Sequence, residues 1–245
     1  MTATSKAFRV RSTVFAPLGD ASRAALVEQR LGEAIRSGLL TDGERLPSES
    51  ELAQLLGVAT VTAREALVGL RSDGLVTTVR GRHGGSFVTR PAVADDTHLT
   101  EQLRSIPRTE LFDRAALYLV AFCGVAELAA ERADASDVAD LRTLEVDLDA
   151  EVSTWRHNET EFALALAGIV RSAHLAREIV RLESEVGVLM RLALAEPSHR
   201  RRTADHRQTI VAAVAAHAGD DARAAARGYI DEAIKATMRY REGQL

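Results

Sequence analysis

The sequence of 245 residues contains one cysteine, five prolines and few aromatic residues, which make up 4% of the chain. A single cysteine, Cys123, excludes an intrachain disulfide and argues against the disulfide-stapled folds of small secreted proteins. The balance of 46% apolar and 27% charged residues is typical of a folded globular protein. The length favours one or two domains, and we predict two.

Long apolar runs are also missing. The uncharged run around Cys123, residues 115–126, has 12 residues, whereas a membrane-spanning helix needs about 20. The first 20 residues have no apolar segment behind their charges, so we expect no signal peptide. The sequence therefore predicts a cytoplasmic protein without a membrane partner.

Motifs of common enzyme classes are absent: there is no Walker-type loop, GxSxG, HExxH or CxxC. The neighbours of Cys123 are apolar and should raise the pKa of its thiol, which disfavours a nucleophile. The glycine-rich "RGRHGG" precedes no helix, so a hairpin turn explains it better than a phosphate cradle. We predict that the chain is not an enzyme and needs no cofactor.

Charge is distributed unevenly along the chain. Residues 1–90 contain 12 Lys/Arg against 9 Asp/Glu, whereas residues 91–245 contain 19 against 26. The N-terminal third can therefore face a polyanion, and the remainder is poorly suited to one.

The stretch "SESELAQLLGVATVTAREALVGL", residues 48–70, combines two short helical patterns with a glycine between them. Ser48 and Glu51 form an S-x-x-E capping box, which begins a helix with Leu52, Leu55 and Leu56 on one stripe. Gly57 suits the left-handed residue after a helix end. A third helix, from about Thr60 to Asp73, should bury four positions at helical spacing. These are Ala63, Ala66, Leu67 and Leu70.

The flanking segments complete a recognisable unit. A first helix is predicted over 22–37, and two short strands, "LVTTV" and "SFVT", flank the basic loop "RGRHGG". Three helices followed by a hairpin predict a winged helix-turn-helix, in which the hairpin is the wing. The third helix of such a unit can lie in the major groove of DNA.

Several polar residues of this unit can contact DNA. Arg64 can donate two hydrogen bonds to guanine or bind a phosphate, and Thr62 suits either a phosphate or a base. Arg80, Arg82 and His83 in the wing can reach the minor groove or the phosphates. The alternatives are a surface or ion-paired Arg64 and an ordinary solvated hairpin tip.

Residues 98–245 are rich in Ala, Leu, Arg and Glu and show no strand-like alternation. We predict six helices with starts near Thr109, Ser136 and Asp220. Their ranges are 109–131, 136–150, 155–170, 175–195, 200–217 and 220–241. The predicted organisation is an N-terminal arm (1–20), a DNA-binding domain (21–90), a linker (91–97) and an all-helical domain (98–245).

The segment "LPSESELAQLLGVATVTAREALVGLRSDGLV", followed by "GRHGGSFV", resembles the N-terminal domain of the GntR family of bacterial transcriptional regulators. The resemblance covers about residues 21–90. It implies DNA contacts from the start of the second helix, from the third helix, which is the recognition helix, and from the wing. The matching positions are Ser48, Ser50, Thr62, Arg64, Arg80 and Gly81.

Two departures from the family pattern concern DNA contacts. Many relatives have arginine where this chain has Ser50, and Ser-Arg where it has Ala59-Thr60. Either Thr60 caps the recognition helix or the helix start is weaker. Two fewer arginines also mean fewer phosphate or guanine contacts.

The helical remainder is similar to FCD, the effector-sensing domain of the FadR-type branch, most clearly in "GVAELAAERADASDVADL". Many FCD domains hold a divalent metal with one Asp and three His. Here the corresponding positions are Glu159, Ala163, His206 and Tyr229. Because a carboxylate and one imidazole leave most of the coordination sphere to water, we predict no metal site.

We predict instead a small organic effector in a mainly apolar cavity between the later helices, contacted by four residues. These are Phe122, Glu159, His206 and Tyr229. Four other histidines show no ligand spacing and are interpreted as surface or satisfied interior residues. They are His157, His174, His199 and His217.

Together these features predict a homodimeric, sequence-specific DNA-binding regulator, expected to be a repressor, that binds a palindromic double-stranded operator and responds to a small molecule. Two alternatives remain open at this point. One is a nucleoid-type protein that binds DNA without sequence preference. The other is a metal-dependent hydrolase tethered to DNA.

Overall fold

The structure, a computed structural model, describes residues 23–81, 84–89, 96–145 and 147–243. The chain is mainly α-helical, with one two-stranded antiparallel sheet, as the sequence predicts. The helices and strands are α1 Arg23–Ser37, α2 Glu49–Leu56, α3 Thr60–Ser72, β1 Val76–Val79, β2 Gly85–Val88, α4 Asp96–Ser105, α5 Arg108–Arg132, α6 Ala135–Arg142, α7 Val152–Ile169, α8 Ala173–Leu182, α9 Val188–Met190, α10 Pro197–Ala215 and α11 Gly219–Arg241. A π-helix, Glu183–Gly187, separates α8 from α9, and a 3-10 helix, Arg191–Ala195, follows α9.

The turn between α2 and α3 has the predicted chemistry. Ser48 Oγ accepts a hydrogen bond from the Glu51 amide at 3.3 Å, and the Glu51 carboxylate accepts one from the Ser48 amide at 2.8 Å. Both halves of the capping box are therefore present. Gly57 ends α2 in the left-handed region, with φ 67° and ψ 36°. A residue with a side chain would be strained there, so glycine allows the sharp turn into α3.

Helix α3 buries the predicted stripe of Ala63, Ala66, Leu67 and Leu70. Its N-cap is Ala59, no side chain caps it, and Thr60 is the first helical residue. Of the two alternatives for this helix start, the structure therefore has the uncapped one. The prediction for α2 was wrong at Leu55, which is 46% exposed, because Ala53 is buried in its place beside Leu52 and Leu56.

The hairpin is antiparallel, with Val76 opposite Val88 and Val79 opposite Gly85. The connector before α2 joins it, since the Leu46 amide donates to the Ser86 carbonyl at 2.9 Å. The wing is thereby fixed to the segment that leads into α2.

Residues 96–243 form a helical body in which α5, α10 and α11 pack together. Two predicted helices were wrong in extent. The helix predicted over 136–150 is α6, which starts after the Asp134 capping box and ends at Arg142. The helix predicted over 175–195 is interrupted by the π-helix and the 3-10 helix. Helix α4 was not predicted; its first two residues fall in the predicted linker, whose other residues, 91–95, lie outside the described ranges, as does the N-terminal arm.

The π-helix accommodates the buried side chain of Glu183. It turns the buried carboxylate of Glu183 inward, and a Cβ atom on Gly187 would lie 2.8 Å from Glu183 Oε2. A wider helical turn with glycine at this position leaves room for the carboxylate. Such single π-turns are frequent at functional sites.

The winged-helix unit packs directly on the helical body. Helix α1 contacts α8 and the π-helix. Burial raises the pKa of Glu33 on α1, and Glu185 of the π-helix adds to that shift. Burial, followed by the nearby Arg177 of α8, lowers the pKa of Arg30 on α1. Charged residues of the two units therefore lie within electrostatic reach of each other.

Candidate DNA-binding face and buried cavity

The outer face of α3 carries exposed residues at helical spacing. Val61 and Val68 are 58% and 49% exposed, and Arg64 and Glu65 between them are also exposed. These positions point away from the buried stripe, as predicted. Exposed valines beside an arginine suit the methyl and hydrogen-bonding groups that base pairs present in the major groove.

Arg64 connects α3 to the start of α2. Its Nε lies 2.8 Å from Glu49 Oε2, and 63% of the Arg64 side chain is exposed. An exposed ion pair of this kind is worth about 0–1 kcal/mol. The ion pair therefore holds the Arg64 guanidinium near the start of α3, and it is weak enough for DNA to displace Glu49.

Two serines and the wing flank α3. Ser48 Oγ and Ser50 Oγ are 3.1 Å apart at the start of α2, and Arg80 and Gly81 are exposed at the end of β1. Thr62 is partly buried, whereas Thr60 is exposed. Two other predicted contacts, Arg82 and His83, lie outside the described residues.

Arg45 was not among the predicted residues. Its guanidinium donates to the Gly84 carbonyl at 2.8 Å and packs against Gly85. Arg45 therefore braces the base of the wing from the connector. The only sequence signal for this role is that Arg45 follows closely on the predicted turn at Asp42 and Gly43.

The helical body contains a small cavity of about 30 Å³, bordered by α5, α7, the π-helix region, α10 and α11. Its polar lining comes from six side chains. They are Tyr118, Glu159, Arg191, His199, Thr203 and Tyr229. A cavity of this volume holds about one water molecule.

One side of this cavity is a network built on Glu183. The Glu183 carboxylate accepts hydrogen bonds from Tyr118 and from Arg191, and Glu183 is fully buried. Burial, and next the Glu183 carboxylate, raise the pKa of Tyr118 well above its ordinary value. Burial opposes the charge of Arg191, but the carboxylate outweighs it and raises the pKa of Arg191. Arg191 therefore stays protonated in the interior.

The other side is a second network of the same composition, built on Glu159. Arg207 donates to Glu159 Oε1 at 2.6 Å, and Tyr229 donates to the other carboxylate oxygen. Arg207 also donates to Asn158 Oδ1 at 2.8 Å, and its guanidinium lies 4.4 Å from the ring centroid of Phe162. Burial, and then Glu159, raise the pKa of Tyr229.

The four predicted effector contacts are only partly brought together. Glu159 and Tyr229 line the cavity, but Phe122 lies behind Tyr229, with ring centroids 5.4 Å apart. His206 packs against Gly228 instead of lining the cavity, at 3.1 Å from an ideal Cβ atom there. The buried ion pairs add charged groups to a lining that also includes apolar side chains, namely Met190, Leu194, Ile230 and Ala233.

The donor set does not fit a metal. Both carboxylate oxygens of Glu159 are engaged by Arg207 and Tyr229, and Ala163 is buried without a donor atom. Within the described residues there is no group of three or more His, Cys, Asp or Glu side chains that could hold an ion. The Arg207 guanidinium, and not a metal ion, is the cation paired with the Glu159 carboxylate in this structure.

Most residues of the two networks and of the polar cavity lining were not predicted from the sequence, among them Tyr118, Glu183, Arg191, His199, Thr203 and Arg207. Glu183 and Arg191 are eight residues apart, and the other partners are remote in sequence. For Glu183 the only signal was Gly187 four residues later, which alone is too common to interpret.

His199 lines the cavity and differs from the interpretation of a satisfied interior histidine. It is 3% exposed, its Nδ1 has no hydrogen-bond partner, and Glu232 Oε1 lies 3.9 Å away. Burial lowers the pKa of His199 to about 4, with Glu232 acting in the opposite direction. The imidazole is therefore neutral near pH 7.

The lowered pKa of His199 predicts a pH dependence of stability. The unfolded chain protonates His199 near the ordinary histidine pKa of 6.5, whereas the folded chain does so near 4. The unfolded state therefore gains protons first, and stability falls by about 3 kcal/mol from pH 6.5 to 4 through this group. Urea unfolding across this range should show a smaller loss for His199→Gln. The surface control His174→Gln should follow the wild type, and parallel curves for all three would refute the assignment.

An uncapped recognition helix with an outward arginine, a braced wing and a helical body with a buried polar cavity together define a winged-helix DNA-binding protein with a second, helical domain. Comparison with known proteins agrees. Residues 23–88 match the bacterial regulatory proteins of the gntR family, and residues 123–232 match the FCD domain. The chain belongs to the GntR family and carries an FCD domain.

Individual relatives are similar over different lengths. The HTH-type transcriptional regulator RmpR of Mycobacterium gastri is 35% identical over 177 residues, which cover 71% of this chain and 65% of RmpR. The HTH-type transcriptional regulator GgaR of Escherichia coli K12 is 48% identical over 48 residues, 20% of this chain and 19% of GgaR. The chain thus spans less than two thirds of these relatives. The structure of E. coli McbR/YncC shares the fold, with a TM-score of 0.54 and 19% identity over 90% of this chain and 99% of McbR/YncC.

The family and the curated relatives are transcriptional regulators, not enzymes, in agreement with the prediction. Burial raises the pKa of Cys123, as expected for a thiol with apolar neighbours. No helix within the described ranges combines the length and the hydropathy needed to cross a bilayer.

Proposed function

We propose that this chain is a sequence-specific transcriptional regulator that acts as a cytoplasmic homodimer and represses its target genes. Residues 21–90 bind the operator, and residues 98–245 bind an effector and hold the dimer together. The observation that carries the proposal is the outward face of α3, where Arg64 and two exposed valines stand beside the wing. RmpR and GgaR, both named as transcriptional regulators, support the same function.

The proposed DNA contacts are the nine residues predicted from the sequence, with Arg45 as a brace of the wing. They are Ser48, Ser50, Thr60, Thr62, Arg64, Arg80, Gly81, Arg82 and His83. Arg64 reads a base, and the wing arginines bind phosphates or the minor groove. Two such heads in a dimer favour a palindromic operator.

The proposed effector is a small organic molecule that enters at Glu159 and Tyr229. Ligand sites usually have volumes of about 300–1,000 Å³, so the cavity of about 30 Å³ must open to admit one. A groove of about 170 Å³ beside Trp155 supplies a route, because Arg207 lines it and also binds Glu159 of the cavity. An effector that displaces Arg207 would join the two spaces.

The π-helix supports a coupling of this cavity to DNA binding. Its Glu183 belongs to the cavity network, and the same turn packs against α1 of the DNA-binding unit. An effector that rearranges Glu183 would therefore act on the helix that packs against α3. It shifts the equilibrium only as far as it prefers one arrangement of the heads.

The test is selection of bound duplexes from a random DNA library by the full chain, followed by affinity measurement at fixed salt. We expect a palindromic motif bound about 10³-fold or more tightly than random duplex. A ratio near one would favour the nucleoid-type alternative. A reporter with the selected motif at its promoter should lose expression when the protein is supplied, and a gain would reverse the assigned sign.

A further inference from the structure

The groove beside Trp155 is a second space in the helical body, separate from the cavity, with a volume of about 170 Å³. One wall is formed by the end of α6 and the segment that follows it, and the other by one face of α10. A cavity of about 150 Å³ binds a molecule of the size of benzene. The groove therefore has room for a molecule of roughly six to ten non-hydrogen atoms.

The segment between α6 and α7 is held in place by hydrogen bonds to its carbonyl groups. Trp155 Nε1 donates to the Asp147 carbonyl at 3.0 Å, and Arg200 donates to the Ala150 carbonyl at 3.0 Å. Arg207 donates to a third carbonyl of the segment. The wall is thus preformed, so a ligand loses little free energy in ordering it.

Each wall carries one positive and one negative side chain. Arg201 and Asp205 lie four residues apart on α10, and Arg142 and Glu145 lie on the other wall. All four are exposed, and none of them has an ion-pair partner among the residues that the structure describes. Arg207 also lines the groove, but its charge is paired with Glu159. The four unpaired charges cancel, so the groove favours neither a simple anion nor a simple cation.

The spacing on α10 suits two opposite charges that are close together. Residues four apart on a helix have Cβ atoms about 5–6 Å apart, so Arg201 and Asp205 can each bind one end of a compact zwitterion. The groove is also lined by apolar side chains, and Leu148 among them is 37% exposed. An apolar group placed against them would leave water favourably. They are Leu141, Leu148, Trp155 and Val211.

We propose that this groove binds a free α-amino acid with an apolar side chain, about the size of valine to methionine. Its carboxylate binds Arg201, its ammonium group binds Asp205, and its side chain lies against Leu148 and Trp155. Such amino acids have about eight or nine non-hydrogen atoms, within the size that the groove admits. The inference goes beyond the proposed function, in which the groove is only a route to the cavity, and it does not depend on DNA binding.

The experiment titrates the full chain, without DNA, with L-valine, L-leucine and L-methionine by isothermal calorimetry. We expect leucine to bind with a Kd of about 1 mM or tighter and to change the emission of Trp155, which lines the groove. Two analogues each lack one charge of leucine: 3-methylbutylamine has no carboxylate, and 4-methylpentanoate has no ammonium group. Each should bind at least about 10-fold more weakly than leucine, because each loses hydrogen bonds to a charged partner.

Charge-neutralising variants locate the site. Arg201→Gln and Asp205→Asn should each raise the Kd for leucine about 10-fold or more, and both should keep the helical circular dichroism because both residues are exposed. The matched control is Arg227→Gln, which neutralises an exposed arginine on α11 away from the groove and should leave the Kd unchanged.

Three results would overturn the inference. They are no binding of any of the three amino acids up to about 10 mM, equal affinity for leucine and 4-methylpentanoate, or an unchanged Kd for leucine in both groove variants. Selection of an operator by the same chain would still succeed in each case, so failure of this inference is distinct from failure of the proposed function.

Discussion

Replacing Arg207 with methionine should destabilise the helical body by about 3–5 kcal/mol. Arg207 is 6% exposed and neutralises Glu159, which is 3% exposed. Methionine fills a similar volume but leaves the Glu159 carboxylate buried without its cation, and an uncompensated buried charge has this cost. Trp155, the only tryptophan and 1% exposed, reports unfolding of this domain by fluorescence.

The matched control for this change is Arg201→Met on the same helix. Arg201 is exposed, so its loss should change stability by no more than about 0.5 kcal/mol. The double variant Arg207→Met/Glu159→Gln removes the buried charge together with its partner and should recover most of the loss. A single Arg207→Met variant within about 1 kcal/mol of the wild type would show that Glu159 does not depend on this cation.

Replacing Arg64 with alanine should weaken operator binding by about 1–3 kcal/mol and relax specificity at one base pair. The guanidinium is held at the start of α3 by an exposed ion pair with Glu49, which has little energy to lose when DNA competes for it. Alanine keeps the helix, because Arg64 contributes nothing to the buried stripe. Fluorescence anisotropy with the selected operator and single-base variants measures both effects.

Two further variants separate base reading from general charge. Arg142→Ala removes one positive charge from α6 in the helical body and should leave operator affinity unchanged. Glu49→Gln removes the partner of Arg64 and one negative charge near DNA, so it should strengthen binding to all sequences by a similar factor. Unchanged operator affinity in a folded Arg64→Ala variant would remove Arg64 from the interface.

The two networks give two buried carboxylates of the helical body partners from the chain itself. In each, a buried glutamate accepts hydrogen bonds from one tyrosine and one arginine. A guanidinium is permanently charged and presents its donors in a fixed geometry, so it satisfies a carboxylate in the interior. The effector of the proposed function would have to compete with these internal partners.

The sequence by itself determined the features that depend on neighbouring residues. The capping box needs only Ser48 and Glu51, the left-handed turn needs only Gly57, and the wing needs two short β-branched runs around a glycine-rich loop. Each is fixed by interactions a few residues apart, so composition and spacing were sufficient. The outward position of Arg64 followed from helical periodicity for the same reason.

Only the tertiary structure decided the cavity and its chemistry. Tyr118 and Glu183 are 65 residues apart, Glu159 and Arg207 are 48 apart, and Glu159 and Tyr229 are 70 apart. No local pattern pairs such residues, because the energy of a buried charge depends on which helices pack around it. The same holds for the ion pair of Arg64 with Glu49, and for the π-helix, whose widened turn follows from where the Glu183 carboxylate finds its partners.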